Sequence, residues 1–189
     1  MISQQLDEYV TQLKGYNEHT NIYSASAYDK LQFHIEDSLN ILNLIPKTTR
    51  RILDIGSGSG LPSIPMAIAR TDIEVTAVES KYRKTRFLAE VKTAIGLHNL
   101  TVVTANIAEY IHKEKPTPDV ITAKAFAPID RLLPLLKTLA YTRSTVIIPV
   151  SQSQATDLDH HPFPGFVLKH GTETDGTHTY LILELKKFN

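Results

Sequence analysis

The chain has 189 residues, enough for one domain with a small extension, and its 42% hydrophobic content permits a sizeable core. Twenty basic and twenty acidic residues give zero formal net charge, which argues against a generally basic surface, so any nucleic-acid site must be a local patch. No cysteine is present, which excludes disulfides, thiol catalysis and zinc–thiolate sites.

Met1 to Glu8 carries neither a basic n-region nor an apolar h-region, and no apolar run is long enough to span a bilayer; no membrane association and a cytoplasmic location are expected. Leu6, Val10 and Leu13 lie at helical spacing, which predicts a helix from Ser3, a candidate N-cap, to about Lys14, broken by the stretch that begins at Gly15. Ser26 followed by Asp29 reads as a capping box opening a second helix, with Leu31, Ile35, Leu39 and Leu42 as its buried stripe. His34, Asp37 and Ser38, three and four residues apart, share a neighbouring face. That face is either an ordinary polar surface or the lining of a ligand mouth. Residues 1–45 are read as a helical cap, and residues 46–189 as one compact unit.

The core unit opens with strand Ile52–Ile55, then Asp54-Ile55-Gly56-Ser57-Gly58-Ser59-Gly60-Leu61-Pro62, then a helix beginning near Ile64. A strand, a glycine turn and a helix make the first half of a βαβ unit, and Pro62 suits the first helical turn. Glycines there admit positive φ and close approach of a ligand. The spacing is G-x-G-x-G, and Leu61 stands where a dinucleotide fingerprint has its third glycine, which disfavours a nicotinamide dehydrogenase. Glu79 ends the next strand, Ile73–Glu79, where a carboxylate can accept both ribose hydroxyls of an adenosine. With Asp54 it makes a site that suits a cationic cofactor, S-adenosylmethionine, better than a pyrophosphate.

Further elements alternate: helix Tyr82–Ile95 stopped by Gly96, strand Leu100–Thr104, a short helix from Ala108 to about His112, strand Asp119–Ala123, helix Ile129 to about Leu139, and strand Thr145–Val150. A turn at Pro162–Gly165 precedes two final strands, Phe166–His170 and Thr179–Leu185, which pair most simply as a hairpin. Strands alternating with helices imply a parallel sheet covered on both faces, with ligands beyond the strands' carboxyl ends, where Gly56, Glu79, Thr104–Ala108 and Lys124 fall. Lys81, Arg83, Lys84 and Arg86 crowd the first turn of a helix, where the macrodipole disfavours cations. They are either a solvated face or a patch for an RNA backbone. Lys124 beside Phe126 either holds a base by charge and stacking or is a solvated lysine next to a core aromatic. His160-His161 has no third ligand at useful spacing and reads as loop; no metal site is expected.

These residues resemble a known family, the small-subunit ribosomal RNA guanine-N7 methyltransferases, also called glucose-inhibited division protein B. The resemblance runs from about Asn17 to Leu139. Asn21-Ile22-Tyr23 is similar to the family's Asn-Leu-Thr, and His34-Ile35-Glu36-Asp37-Ser38-Leu39 to its His-Ile-Leu-Asp-Ser-Leu. Leu53 to Pro65 is similar to its cofactor loop and is the most specific segment. Glu79-Ser80, Lys84 and Arg86-Phe87-Leu88 resemble its next element, Ala108-Glu109 its Arg-Ala-Glu, and Ala123-Lys124-Ala125-Phe126-Ala127 its Ala-Arg-Ala-Phe-Ala. The resemblance implies a class I S-adenosylmethionine-dependent methyltransferase fold: an α/β, Rossmann-like, seven-stranded mostly parallel sheet whose last strand is antiparallel. It implies methyl transfer to N7 of a guanine in 16S ribosomal RNA, with the small ribosomal subunit as partner of a monomer. The cofactor set it implies, with the turn itself, is Asp54, Gly56, Ser57, Gly58, Gly60, Leu61, Glu79, Ser80, Ile107, Ala108, Glu109 and Lys124, with Glu79 on the ribose. No catalytic base is required for N7; Asp37 and Lys124 are the candidates for a catalytic role, and Asp37 or Glu109 for facing the purine as it gains charge.

Phe33 stands where the family has Arg, Ile107 replaces the Arg of Arg-Ala-Glu, Lys124 replaces another Arg, Ser63 a Gly, and Pro149-Val150-Ser151 the usual Lys-Gly. The cofactor loop is kept while basic positions are reduced, and lysine does not replace arginine at bidentate sites. The alternatives are therefore a diverged methyltransferase with another substrate, or a non-catalytic cofactor-binding paralogue.

Overall fold

The computed structural model describes residues 2–139, 143–158, 166–174 and 176–185. Helix α1 (Ile2–Asn17), a 3-10 turn (Ala25–Lys30) and α2 (Leu31–Leu44) precede β1 (Arg51–Ile55), α3 (Ser63–Ala69), β2 (Glu74–Glu79), α4 (Tyr82–Ile95) and β3 (Leu100–Thr104). Then follow α5 (Ile107–Glu114), β4 (Val120–Thr122), α6 (Ile129–Lys137), β5 (Thr145–Val150), α7 (Gln152–Leu158), β6 (Phe166–Thr174) and β7 (Thr179–Leu185).

The strands form one seven-stranded sheet in the order β3-β2-β1-β4-β5-β7-β6. Strands β3 to β5 run parallel, and β7 lies antiparallel between β5 and β6. The chain builds outward from β1 in one direction and from β4 in the other. The gap between them is a topological switch point, where open α/β sheets bind ligands. The central strands are largely apolar because helices cover both faces. One face is packed by Tyr9, Leu13, Ile41, Met66, Phe87 and Leu88, from α1 to α4. The other is packed by Ile111, Leu132, Leu133 and Leu136, from α5 and α6. The first two helices share this core with the sheet: Tyr9, Leu13 and Ile41 are fully buried in it.

Three local expectations are corrected. Helix α1 runs through Gly15 to Asn17. A helical glycine costs only about 1 kcal/mol, and the added turn lets the Tyr16 ring pack 5.1 Å from Phe87 while its hydroxyl donates to the Arg83 carbonyl at 3.1 Å. Asn17 then ends the helix, its carboxamide accepting from the Ile22 and Tyr23 amides and donating to the Tyr23 carbonyl. Ser26 and Asp29 form no capping box. They lie inside the 3-10 turn, and α2 starts after them at Leu31. A Tyr23–Tyr28 stack and a 2.8 Å bond between the Tyr23 hydroxyl and His34 Nδ1 organise that segment instead. Helix α7 is additional: only Ala155 of its described side chains is buried, so no apolar period announces it. His160-His161 and the turn at 162–165 lie outside the described residues.

Candidate functional site

The turn after β1 sits at the switch point. The amides of Gly56 and Ser57 both donate to the Val78 carbonyl, at 2.8 and 3.2 Å, which ties the turn to the end of β2. Gly56 has φ +70, and a Cβ there would lie 2.2 Å from the Phe126 ring, so only glycine fits beneath that ring. Gly60 has φ +101 and is pressed against Ile64 of α3 and Leu88 of α4, so a side chain there would meet both helices. The buried Ser57 hydroxyl donates to the Asp54 carbonyl at 3.2 Å. Tyr9, fully buried on α1, donates its hydroxyl to the Ser59 carbonyl at 3.0 Å, and burial pushes that phenol well above its ordinary range.

Two carboxylates flank the turn. Asp54 is 1% exposed; its Oδ1 accepts from Thr122 at 2.8 Å, across the β1–β4 register, while Oδ2 has no hydrogen-bond partner among the described residues. Burial pushes Asp54 up to about 6, against the opposing pull of the Thr122, Ser57 and Ser63 hydroxyls and the Lys124 charge. Glu79 is 7% exposed, with Oε2 accepting from the Gly58 amide at 3.1 Å and Oε1 from the Lys81 amide at 2.9 Å. The Ser80 hydroxyl lies 3.4 Å from Oε1 and the Lys84 ammonium 4.0 Å from Oε2. Fixed by two backbone amides, this carboxylate keeps acceptor capacity for ligand hydroxyls.

Gly56, Glu79, Ser80, Ile107 and Phe126 line a cavity of about 270 Å³, just below the size usual for a small-molecule site. The Phe126 ring narrows it. On the other side of β4 lies a second cavity, of about 810 Å³, lined by Phe33, His34, Asp37, Lys124, Pro149 and His178 among others. Ala125, with φ +50, belongs to both walls, so the two spaces meet along the segment leaving β4. Lys124 donates to the Asp37 carboxylate and, at 3.4 Å, to the His34 carbonyl, tying α2 to the end of β4. Burial pulls Lys124 below its ordinary value while Asp37 resists, and burial with the nearby Lys124 charge lowers His34.

Of the residues read as cofactor-binding, the structure gathers Gly56, Glu79, Ser80 and Ile107 around the smaller cavity, with Gly58 bonded to Glu79, and Ser57, in the turn, bonded to the Asp54 carbonyl. Lys124 and Asp37, both read as catalytic candidates, form one ion pair facing the larger cavity. Leu61 is buried in the core instead of lining either space. Ala108 and Glu109 are exposed on α5, and the Ala108 amide is taken by its N-cap, Asn106. The sequence reading missed Thr122, Tyr9, Asn106 and His178. Only Asn106 left a signal, an N-cap residue one step before its helix.

The residues fit S-adenosylmethionine: a buried acid with one oxygen unpartnered among the described residues suits a cationic ligand, and a fixed acid at the neighbouring strand end suits a ribose. No group of three or more metal-ligating side chains occurs among the described residues, and none of their helices is long and apolar enough to cross a membrane.

Comparison with known proteins agrees with this geometry. The structure is similar to a ribosomal protein L11 methylase from Lactobacillus delbrueckii subsp. bulgaricus, with TM-score 0.61 and 16% identity over 81% of this chain and 78% of that one, which shows the fold. In sequence it is 35% identical to a ribosomal RNA small subunit methyltransferase G of Chromobacterium violaceum, over 71% of this chain and 63% of that one. It is 39% identical to one of Brachyspira hyodysenteriae, over 77% of this chain and 69% of that one. The chain spans between 55% and 64% of the length of several curated relatives that it matches. A family model described as GidB, rRNA small subunit methyltransferase G, matches residues 2–172, nearly the whole chain. The chain belongs to the rRNA small subunit methyltransferase G family.

Proposed function

We propose that this chain transfers a methyl group from S-adenosylmethionine to N7 of a guanine in 16S ribosomal RNA. The observation that carries the reading is the pair of cavities that share Ala125: an acid-flanked cleft over the glycine turn, and a larger chamber beyond β4 and β5. The cofactor supplies an electrophilic methyl on a sulfonium. Asp54 would face its cationic end, Glu79 would accept from its ribose, and the backbone from Gly56 to Gly60 would let it approach closely. Lys124 and Asp37 border the chamber where the acceptor would lie. Guanine N7 offers a lone pair and loses no proton, so alignment of donor and acceptor supplies most of the rate. Residues 1–45 act as a cap that closes one side of the site. Work on the small ribosomal subunit puts the monomeric chain in the cytoplasm, with the exposed Lys81 and Arg83 toward the RNA backbone.

The decisive experiment is mass spectrometry, with aniline cleavage, of 16S RNA from a strain lacking the gene. One 7-methylguanine disappears and is restored by the purified protein acting on small subunits; unchanged modification removes the proposal. A second reading, the same chemistry on another acceptor, is favoured by Phe33 and Ile107, which stand at positions where the family sequence has arginine. It predicts cofactor binding by calorimetry with no transfer to small subunits.

A further inference from the structure

The larger cavity has chemistry of its own. Phe33 lies on the outer part of α2, 39% exposed, an unusual amount for a phenyl ring. Its ring stacks on the imidazole of His178, with centroids 4.5 Å apart and planes 18° from parallel. His178 is 5% exposed and precedes β7; the Asn40 carboxamide, from α2, lies 3.0 Å from its Nδ1. An exposed aromatic is thus backed by a buried one that is itself fixed, and both line the cavity. Two parallel rings held this way extend a π-surface, which binds another flat ring face to face better than an aliphatic wall does.

The charges on the wall point the same way. Among the described lining residues, Asp37, Asp130 and Asp157 carry carboxylates and Lys124 is the one lysine or arginine. With Asp37 paired to Lys124, the wall keeps a small excess of negative charge, which suits a base that becomes positive. A purine alkylated at N7 acquires that charge, and nearby carboxylates stabilise it as it develops. The space of about 810 Å³ accepts a purine with room for its sugar.

We propose that Phe33, backed by His178, is the platform on which the acceptor purine stacks during methyl transfer, so that this chain grips an unpaired RNA base by its face. The inference rests on the proposed transfer to ribosomal RNA. Stacking of a base on an aromatic contributes about 1–3 kcal/mol, and it survives replacement by another aromatic but not by an aliphatic residue. Phe33 then positions the base by direct contact, while Lys124 and Asp37 border its edge.

The test measures methyl transfer from labelled S-adenosylmethionine to small ribosomal subunits lacking the modification, for wild type, Phe33→Leu, Phe33→Gln and Phe33→Tyr, with cofactor affinity read by calorimetry. Phe33→Leu and Phe33→Gln are expected to lower kcat/KM for the subunit at least fivefold with unchanged cofactor affinity, while Phe33→Tyr stays within twofold of wild type. Wild-type rates in both non-aromatic variants overturn the platform and leave the proposed function standing. An equal loss in Phe33→Tyr, or a parallel loss of cofactor affinity, overturns it in favour of a structural role. An inactive wild type overturns the proposed function and the platform together.

Discussion

Asp54 is the residue at which structure and ionisation meet most directly. Burial raises its pKa from 3.8 to about 6, and one of its oxygens has no donor among the described residues. Between those two values the folded chain keeps a proton that the unfolded chain has lost. Its contribution to stability therefore falls as pH rises through that window and is level above it. A cationic cofactor reverses the preference, because it favours the carboxylate. Affinity for S-adenosylmethionine is expected to weaken about tenfold one pH unit below 6, following the protonated fraction, and to be flat above pH 7. Calorimetric titrations at pH 5 and pH 7.5 check this, with Asp54→Asn as the variant that loses the dependence. Equal wild-type affinities at both pH values would remove Asp54 from the site. Asp54 and Glu79 were legible in the sequence because each is an acid at the carboxyl end of an apolar strand. Thr122, which fixes Asp54, was not, since only the β1–β4 register reveals that the two are neighbours.

At the scale of elements, the contact between α2 and the segment leaving β4 depends on Lys124 and Asp37, 87 residues apart. Asp37 is 4% exposed. Lys124→Met leaves its carboxylate buried without its cation and is expected to cost about 3–5 kcal/mol. Adding Asp37→Leu should recover most of that loss, and urea unfolding of the two variants and wild type measures it. A single variant within about 1 kcal/mol of wild type would mean that water already reaches the pair. Both residues could be singled out from the sequence, but their pairing could not, because helical spacing relates only near neighbours. The same limit decides which elements were legible. Tyr82–Ile95 ends where Gly96 takes a left-handed cap, and Thr145–Val150 and Thr179–Leu185 stand out as apolar runs. Gly15 read as a break because the compensating partner, Phe87, lies far along the chain. The 3-10 turn replaced a capping box for a similar reason, since the tyrosines that organise it carry no local code.

For the whole molecule, zero net charge means that the proposed RNA substrate would be met by a local patch of cations and not by a generally basic surface. The basic cluster on α4 is divided. Lys84 lies 4.0 Å from Glu79 and Arg86 pairs with Glu90 at 2.9 Å, whereas the exposed Lys81 and Arg83 have no acidic partner among the described residues. Lys81→Ala with Arg83→Ala is expected to weaken small-subunit binding and to reduce the magnitude of its salt slope by about 1.5. Filter binding between about 50 and 200 mM salt, roughly a fourfold range, measures it; an unchanged slope would place the RNA elsewhere. The bond from the Tyr9 hydroxyl to the Ser59 carbonyl carries a different consequence. Coupling between two parts of a protein is reciprocal, so a ligand that steadies the glycine turn also steadies the leading helix. The converse follows as well. A fusion partner or tag that pulls on the amino end reaches the proposed adenosyl seat through that phenol as well as through the shared core, and a protease that nips the first turns is expected to report, by its pace, whether that seat is filled.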